Sequence, residues 1–366
     1  MSLSITVNGI KFPNPFLLGS GPPGTNARVI AKSFDAGWGG VVAKTVSLES
    51  AKVINVVPRY GRLRSRDKGE IIGFENIELI SDRPIDVWIQ EFREIKKEYP
   101  EHILIASIME EYDKARWQEL TRMVQDTGVD AFELNFSCPH GMPERRMGSE
   151  MGEHPDLTQE VTAWVTEVAT IPVWAKMTPN ITNIREPSMA AVRGGAVGVS
   201  AINTILSVIG VDLETLRPMP TVEGYTVPGG YSCQAVRPIA LRMVSQLAQS
   251  LPEGVSISGI GGIENSHDAL EFMLLGASTV QLCTGVMLHG IKIIDELKEG
   301  VAKFMTDKKF ESVSDIVGKS IPYFSTHMNL VERMKQAKRH KGGESSRDND
   351  WAEKSITEKT AELTSN

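Results

Sequence analysis

Residues 131–142 read AFELNFSCPHGM, a largely apolar run that ends abruptly in an amide, a hydroxyl, a thiol and a glycine. It lacks the strict alternation of a strand with one wet face. It therefore reads as a strand buried on both faces, as strands are in a parallel sheet covered by helices. Similar runs stand at 16–20 (FLLGS), 40–45 (GVVAKT), 103–108 (ILIASI), 172–178 (PVWAKMT), 197–204 (VGVSAINT), 255–262 (VSISGIGG) and 279–285 (TVQLCTG). Helical periodicity fills 86–99, 115–127, 156–168, 187–193, 235–249 and 265–275. Asp156 and Ser266 read there as N-terminal caps, and Gly128 and Gly276 as stops. Eight strand–helix units predict an α/β fold of the (β/α)8 TIM-barrel type. A doubly wound open sheet is the alternative, but it gathers polar and glycine signals at one switch point, whereas here they close almost every run.

The intervals 45–103 and 204–255 are much longer than the others and predict insertions over the C-terminal face of the barrel, where active sites form. The opening SITVNGIKF carries a hairpin signal at Asn8-Gly9, placed to plug the barrel floor. A barrel domain over 1–330 is expected, followed over 331–366 by a polar tail, disordered or loosely helical.

Composition narrows the function classes. The chain has 366 residues, 41% apolar and 23% charged, enough for a large core in a soluble protein. Its net charge of −7 and scattered basic residues argue against a nucleic-acid or basic membrane-surface partner. No apolar run reaches the roughly 18 residues of a membrane span. The N-terminus lacks the features of a signal peptide, so a cytoplasmic location is expected. Cys138, Cys233 and Cys283 stand far apart, too few for a disulfide framework or a four-cysteine zinc or iron–sulfur site. The seven histidines are dispersed, and no metal site is expected. The charged runs 59–70 and 335–341 read as solvated surface. A homo-oligomer is expected.

The ends of the runs carry the chemistry. The first gives the glycine-rich Gly19-Ser20-Gly21-Pro22-Pro23-Gly24, either a turn or a close approach of backbone to a flat ligand. The second and fifth end in Lys44-Thr45 and Lys176-Met177-Thr178. A lysine ending an apolar strand directs charge into the barrel mouth, where it needs an anionic or electron-rich partner, unless it merely snorkels. Cys138 falls just past the fourth run, in the ring where barrel catalysis occurs, and reads as a nucleophile or general acid, or as a small buried thiol. The segment 141–152 that follows suits a mobile lid. Asn203-Thr204 pairs amide and hydroxyl, suited to a polar ring or to a helix cap. Ser258 to Gly262 and Cys283-Thr284-Gly285 place glycine-rich turns before helices at the seventh and eighth strands, the barrel's phosphate-binding arrangement. Gly229-Gly230 offers a further close backbone approach.

At NFSCPHGM (135–142), with KMTPN (176–180), AINT (201–204) and GIGG (259–262) following in order, the sequence resembles the FMN-binding dihydropyrimidine dehydrogenase domain of the dihydroorotate dehydrogenase-like superfamily, over about residues 4–320. The resemblance implies FMN in a barrel and reduction or oxidation of the C5–C6 bond of uracil or thymine, with hydride exchanged at the flavin N5 and the proton carried by Cys138. It implies that Ser20, Gly21, Lys44, Thr45 and Lys176 contact the flavin. Gly230, Gly261, Gly262, Cys283 and Thr284 would surround its ribityl phosphate. Asn76, Asn135 and Asn203 would bind the pyrimidine, with Ser137 and Thr204 beside them. Asn76-Ile77-Glu78-Leu79-Ile80, with Glu78 and Ile80, matches the pyrimidine branch rather than the dihydroorotate branch. Such enzymes take electrons through iron–sulfur clusters, for which this chain has no cysteines, so an NAD(P)H/FAD reductase subunit or a soluble donor is implied. A dihydroorotate dehydrogenase, or a non-catalytic barrel subunit of a larger reductase, remains the alternative.

Overall fold

The computed structural model describes residues 2–138 and 147–339. Two short strands, β1 (Ile5–Val7) and β2 (Ile10–Phe12), form the opening hairpin; β3 (Phe16–Leu18) and β4 (Gly40–Val42) follow. Then come β5 (Tyr60–Arg64), β6 (Ile71–Asn76), β7 (Ile103–Ile108), β8 (Ala131–Phe136), β9 (Val173–Met177) and β10 (Gly198–Ala201). The series ends with β11 (Ile205–Ser207), β12 (Val211–Asp212), β13 (Arg217–Pro218), β14 (Gly229–Ser232), β15 (Ser256–Ile260) and β16 (Thr279–Leu282).

β3, β4, β7, β8, β9, β10, β15 and β16 close into one parallel barrel, sealed by the pairing of β9 with β10. Each of the eight apolar runs supplies one of these strands, and every residue in them is buried. One face packs against the flanking helices and the other fills the barrel, which is why the runs show no alternation.

The floor is closed by the hairpin. Val7 pairs with Ile10 across the two-residue turn Asn8-Gly9, whose φ angles of +49° and +83° suit Asn and Gly. The Asn8 side chain accepts from Trp174 Nε1 at 2.9 Å and from Ser256 Oγ, and donates to the Val197 carbonyl at 2.9 Å. These partners stand at the N-terminal ends of β9, β15 and β10, so one side chain ties the hairpin to three barrel strands.

The predicted helices lie within about two residues of their expected bounds, but two caps differ. The helix Pro155–Thr166 is preceded by His154, which makes no side-chain cap; Pro155 presets the first turn and Asp156 lies inside it. Asn265, not Ser266, caps Ser266–Leu274, its side chain accepting from Asp268 N at 3.0 Å. Ser266 instead binds Glu296.

The long intervals do more than cover the barrel mouth: they pair with each other. β5 and β6 from the first join β11 and β14 from the second in one antiparallel sheet, ordered β11-β14-β6-β5. The chain divides into two compact units, Met1–Ile321 and Pro322–Asn366, and the described part of the second holds the helix His327–Arg339. Of the tail expected over 331–366, residues 331–339 belong to this helix and the rest lies outside the described residues; of the lid segment 141–152, residues 141–146 lie outside them and Ser149–Gly152 is a short helix. No helix among the described residues is long and apolar enough to cross a membrane.

Candidate active site

A cleft enclosing about 1060 Å³, mouth included, opens at the C-terminal end of the barrel, beneath the four-stranded sheet. All the predicted site residues line it except Gly230 and Ser137.

The polar wall is a continuous chain of hydrogen bonds. Ser20 and Thr45 hydroxyls lie 3.4 Å apart, and Thr45 Oγ1 accepts from Asn135 Nδ2 at 2.9 Å. Asn135 Oδ1 takes the Ser137 hydroxyl at 2.9 Å, which in turn accepts from Asn203 Nδ2 at 2.8 Å. Asn203 Oδ1 receives the Thr204 N–H at 2.9 Å. Residues read from four strand ends thus form one network. Ser137, fully buried behind the wall, orients two amides rather than facing the cleft. Gly230 lies on β14: its carbonyl accepts from Asn76 Nδ2 at 3.2 Å, and a Cβ there would collide with the Thr204 hydroxyl.

Both lysines have carboxylate partners. Lys176 faces Glu133 at 3.4 Å, with both side chains almost fully buried. Glu133 is further held by Ser200 Oγ and Gln281 Nε2, each at 2.7 Å. Lys44 faces Glu78 Oε2 at 3.0 Å, and Arg59 reaches Glu78 Oε1 at 3.3 Å. Arg59 and Tyr60 therefore do not belong to solvated surface as their charged run suggested. β5 pairs with β6 and carries them inward, so that Tyr60 lines the cleft.

Cys138 lines the cleft in a small apolar cluster with Ile80, Met109 and Met147. Gly148, with φ of +61°, lies so close to Cys138 that a Cβ there would meet its carbonyl oxygen at 2.6 Å. Cys283 differs: burial pushes its thiol up to about 11 despite the opposing lysines Lys176 and Lys44, so it stays protonated at neutral pH. Cys233 is raised to about 12, chiefly by burial, and donates to Glu264 Oε1 at 3.2 Å.

At the other end of the cleft, Gly21, Gly261, Gly262 and Gly285 contribute backbone alone to the wall. Ser232 and Thr284 hydroxyls lie 2.8 Å apart there; Gln281 Oε1, beside the Lys176–Glu133 pair, is buried without a hydrogen-bond partner among the described residues. A glycine-walled slot with hydroxyls, an unpaired amide oxygen and two buried lysines suits a flat ligand with a polar edge and a phosphate. Phe74, Tyr231, Ser232 and Gln281 also line the cleft and were not foreseen. The first three arrive with the covering sheet, whose pairing no local pattern announces.

A dihydroorotate dehydrogenase family model matches residues 2–305. The chain belongs to the dihydroorotate dehydrogenase family. Within it, the chain is 54% identical to a dihydropyrimidine dehydrogenase (NADP(+)), chloroplastic, of Arabidopsis thaliana, over all of this chain and 88% of that protein. It is 45% identical to the NAD-dependent dihydropyrimidine dehydrogenase subunit PreA of Escherichia coli, over 86% of this chain and 76% of that one. It is 36% identical to the catalytic subunit of dihydroorotate dehydrogenase B (NAD(+)) of Pyrococcus abyssi, over 86% of this chain and 98% of that one. A solved structure of DHODH from Eimeria tenella in complex with ferulenol matches with a TM-score of 0.72 at 20% identity, covering 87% and 88% of the two chains, a likeness of fold. As a member of this family the protein is an oxidoreductase acting on CH–CH bonds.

Proposed function

We propose that this family member is an FMN-dependent oxidoreductase that reduces or oxidises the C5–C6 bond of a neutral pyrimidine such as uracil or thymine. One observation carries the reading: three asparagines and Cys138 share a cleft with two buried lysines and a glycine-walled slot. When bound, FMN supplies the hydride chemistry at that bond. Lys44 and Lys176 would hold its electron-rich edge, Ser20, Gly21 and Thr45 its ring, and Gly261, Gly262, Cys283 and Thr284 its phosphate end, with Gly230 bracing the wall through Asn76.

A pyrimidine alternates carbonyl and N–H groups, which amides read as both donor and acceptor. Asn135 and Asn203 are oriented for this by Ser137 and Thr45. Asn76, Ile80 and Thr204 complete the pocket. Cys138 Sγ, in the cleft wall, would hold the proton exchanged with C5. The covering sheet lies over the cleft in which this exchange would occur.

The relative from Escherichia coli is named as a subunit, and the 366 residues here hold three cysteines. Both support a separate NAD(P)H/FAD reductase subunit as electron donor; a cytoplasmic, homo-oligomeric protein is part of the same proposal. The test is anaerobic: protein loaded with FMN and reduced is mixed separately with uracil, thymine and orotate. Reoxidation by uracil or thymine is expected; reoxidation by orotate alone would instead favour a dihydroorotate dehydrogenase. Cys138→Ala should lower turnover by about 10²–10⁴-fold while FMN absorbance is retained. An unchanged rate removes Cys138 from the mechanism.

A further inference from the structure

Cys233 stands directly after β14 with φ of +82° and ψ of −171°, a conformation that glycine adopts freely and other residues do not. Its thiol is buried behind the cleft wall and donates to Glu264 Oε1 at 3.2 Å. Burial raises that thiol to about 12, so it keeps its proton at neutral pH. The other oxygen, Glu264 Oε2, accepts from His289 Nε2 at 2.9 Å, since a carboxylate offers only acceptors. His289 closes the helix Thr284–His289 that follows β16, and Glu264 belongs to the turn that follows β15. One carboxylate thus bonds the segments leaving β14 and β16, and is itself part of the segment leaving β15.

These three segments wall the phosphate end of the cleft, through Ser232, Gly261, Gly262, Thr284 and Gly285. Their backbones are in direct contact. A Cβ on Gly262 would meet the Cys233 carbonyl oxygen at 2.6 Å, and one on Gly285 would meet the Ile263 carbonyl oxygen at 2.3 Å. The Glu264 backbone is fixed independently of its side chain, the N–H donating to Asp268 Oδ2 at 2.9 Å. A phosphate is held by short, directional bonds that weaken steeply once their donors shift, so the spacing of the segments matters. A carboxylate behind an anion site is unfavourable by its charge alone; what this one adds is two bonds across that spacing. Glycine at 233 would relieve the backbone but leave Glu264 without its thiol donor. We propose that Glu264 is a positioning residue for the cofactor phosphate: with one oxygen on Cys233 and the other on His289, it sets the spacing of the three segments around that phosphate. The proposal rests on the FMN reading above and adds the residue that holds the phosphate end in register.

The test compares FMN with riboflavin, which lacks the phosphate, by flavin fluorescence on titration into flavin-depleted, full-length protein. In the unaltered protein FMN should bind about 100-fold more tightly than riboflavin. Glu264→Ala should lower that ratio at least about tenfold, the loss falling on FMN because the ring end of the cleft is untouched. Glu264→Gln, whose amide can accept from Cys233 and donate to His289, should keep the ratio within about threefold of the parent. Cys233→Gly should lower the ratio at least about threefold without lowering the urea midpoint, which keeps the test decisive even if Glu264→Ala fails to fold. An unchanged or raised ratio in folded Glu264→Ala, including an equal loss of both flavins, overturns the proposal. So does a parental ratio in Cys233→Gly, or a glutamine variant that falls as far as the alanine one. Unaltered protein that binds both flavins equally overturns the placement of the phosphate, and this proposal with it, but leaves the flavin reading standing. Unaltered protein that binds neither overturns the FMN reading itself, and this proposal as well.

Discussion

Lys176 and Glu133 show what a single buried pair does in this protein. They come from adjacent strands, β9 and β8, and neither side chain is more than 4% exposed. A buried ion pair contributes little net stability over an apolar pair of the same size, but removing one partner strands the other charge. Glu133→Ala should therefore destabilise the protein by about 3–5 kcal/mol. The double variant Glu133→Leu with Lys176→Met should recover most of that loss. Urea midpoints of the three proteins decide it, and a single variant as stable as the parent would show that the pair does not hold the lysine.

At the level of elements, β6 carries the cleft and its cover at once. Successive side chains point to opposite faces, so Phe74 and Asn76 line the cleft while Glu75 points into the covering sheet. There Glu75 accepts from Ile209 N at 2.9 Å, Gly229 N at 3.0 Å and Ser207 Oγ at 3.3 Å, fastening the second insertion to the first. Burial raises the Glu75 pKa above the ordinary carboxylate range, and these donors only partly oppose it. A carboxyl whose folded pKa exceeds its unfolded one favours the fold below the unfolded pKa, an advantage lost as pH rises through the folded pKa. Glu75→Gln, which does not titrate, lacks this dependence. The stability of the parent relative to Glu75→Gln should therefore increase as pH falls from 7 toward 4.5. Urea unfolding of both proteins across that range measures it, and a constant difference would contradict it.

Across the whole molecule, mouth and floor are separate constructions on one barrel. The floor depends on Asn8, whose side chain bonds β9, β10 and β15, while the chemistry lies at the opposite strand ends. Asn8→Ala leaves the buried Trp174 N–H without its acceptor and places alanine at a φ of +49°, which together should cost about 2–4 kcal/mol. FMN bound per folded molecule should stay the same, because no cleft residue touches Asn8. Urea unfolding and flavin absorbance on one preparation separate the two effects, and a loss of flavin without a loss of stability would contradict the division.

The barrel itself was legible along the chain. Burial on both faces leaves an unalternating apolar run wherever a strand of a covered parallel sheet occurs, and polar residues at the run ends mark one face of the closed sheet. Hence Lys44, Thr45, Asn135, Cys138, Lys176 and Asn203 could be assigned to a common mouth from their positions alone. The helices Ala27–Asp35, capped by Asn26, and Ile293–Lys308 were not among those expected from periodicity. What one-dimensional pattern did not contain was pairing across distance. That β5 and β6 share a sheet with β11 and β14, that Arg59 and Tyr60 turn inward, and that Glu133 answers Lys176 and Glu78 answers Lys44 are products of closure. Local spacing dictates which residues can be strands and where each strand ends; only packing the whole chain decides which buried charge meets which, because each such charge takes its partner from whatever neighbouring strand or loop the fold brings within reach.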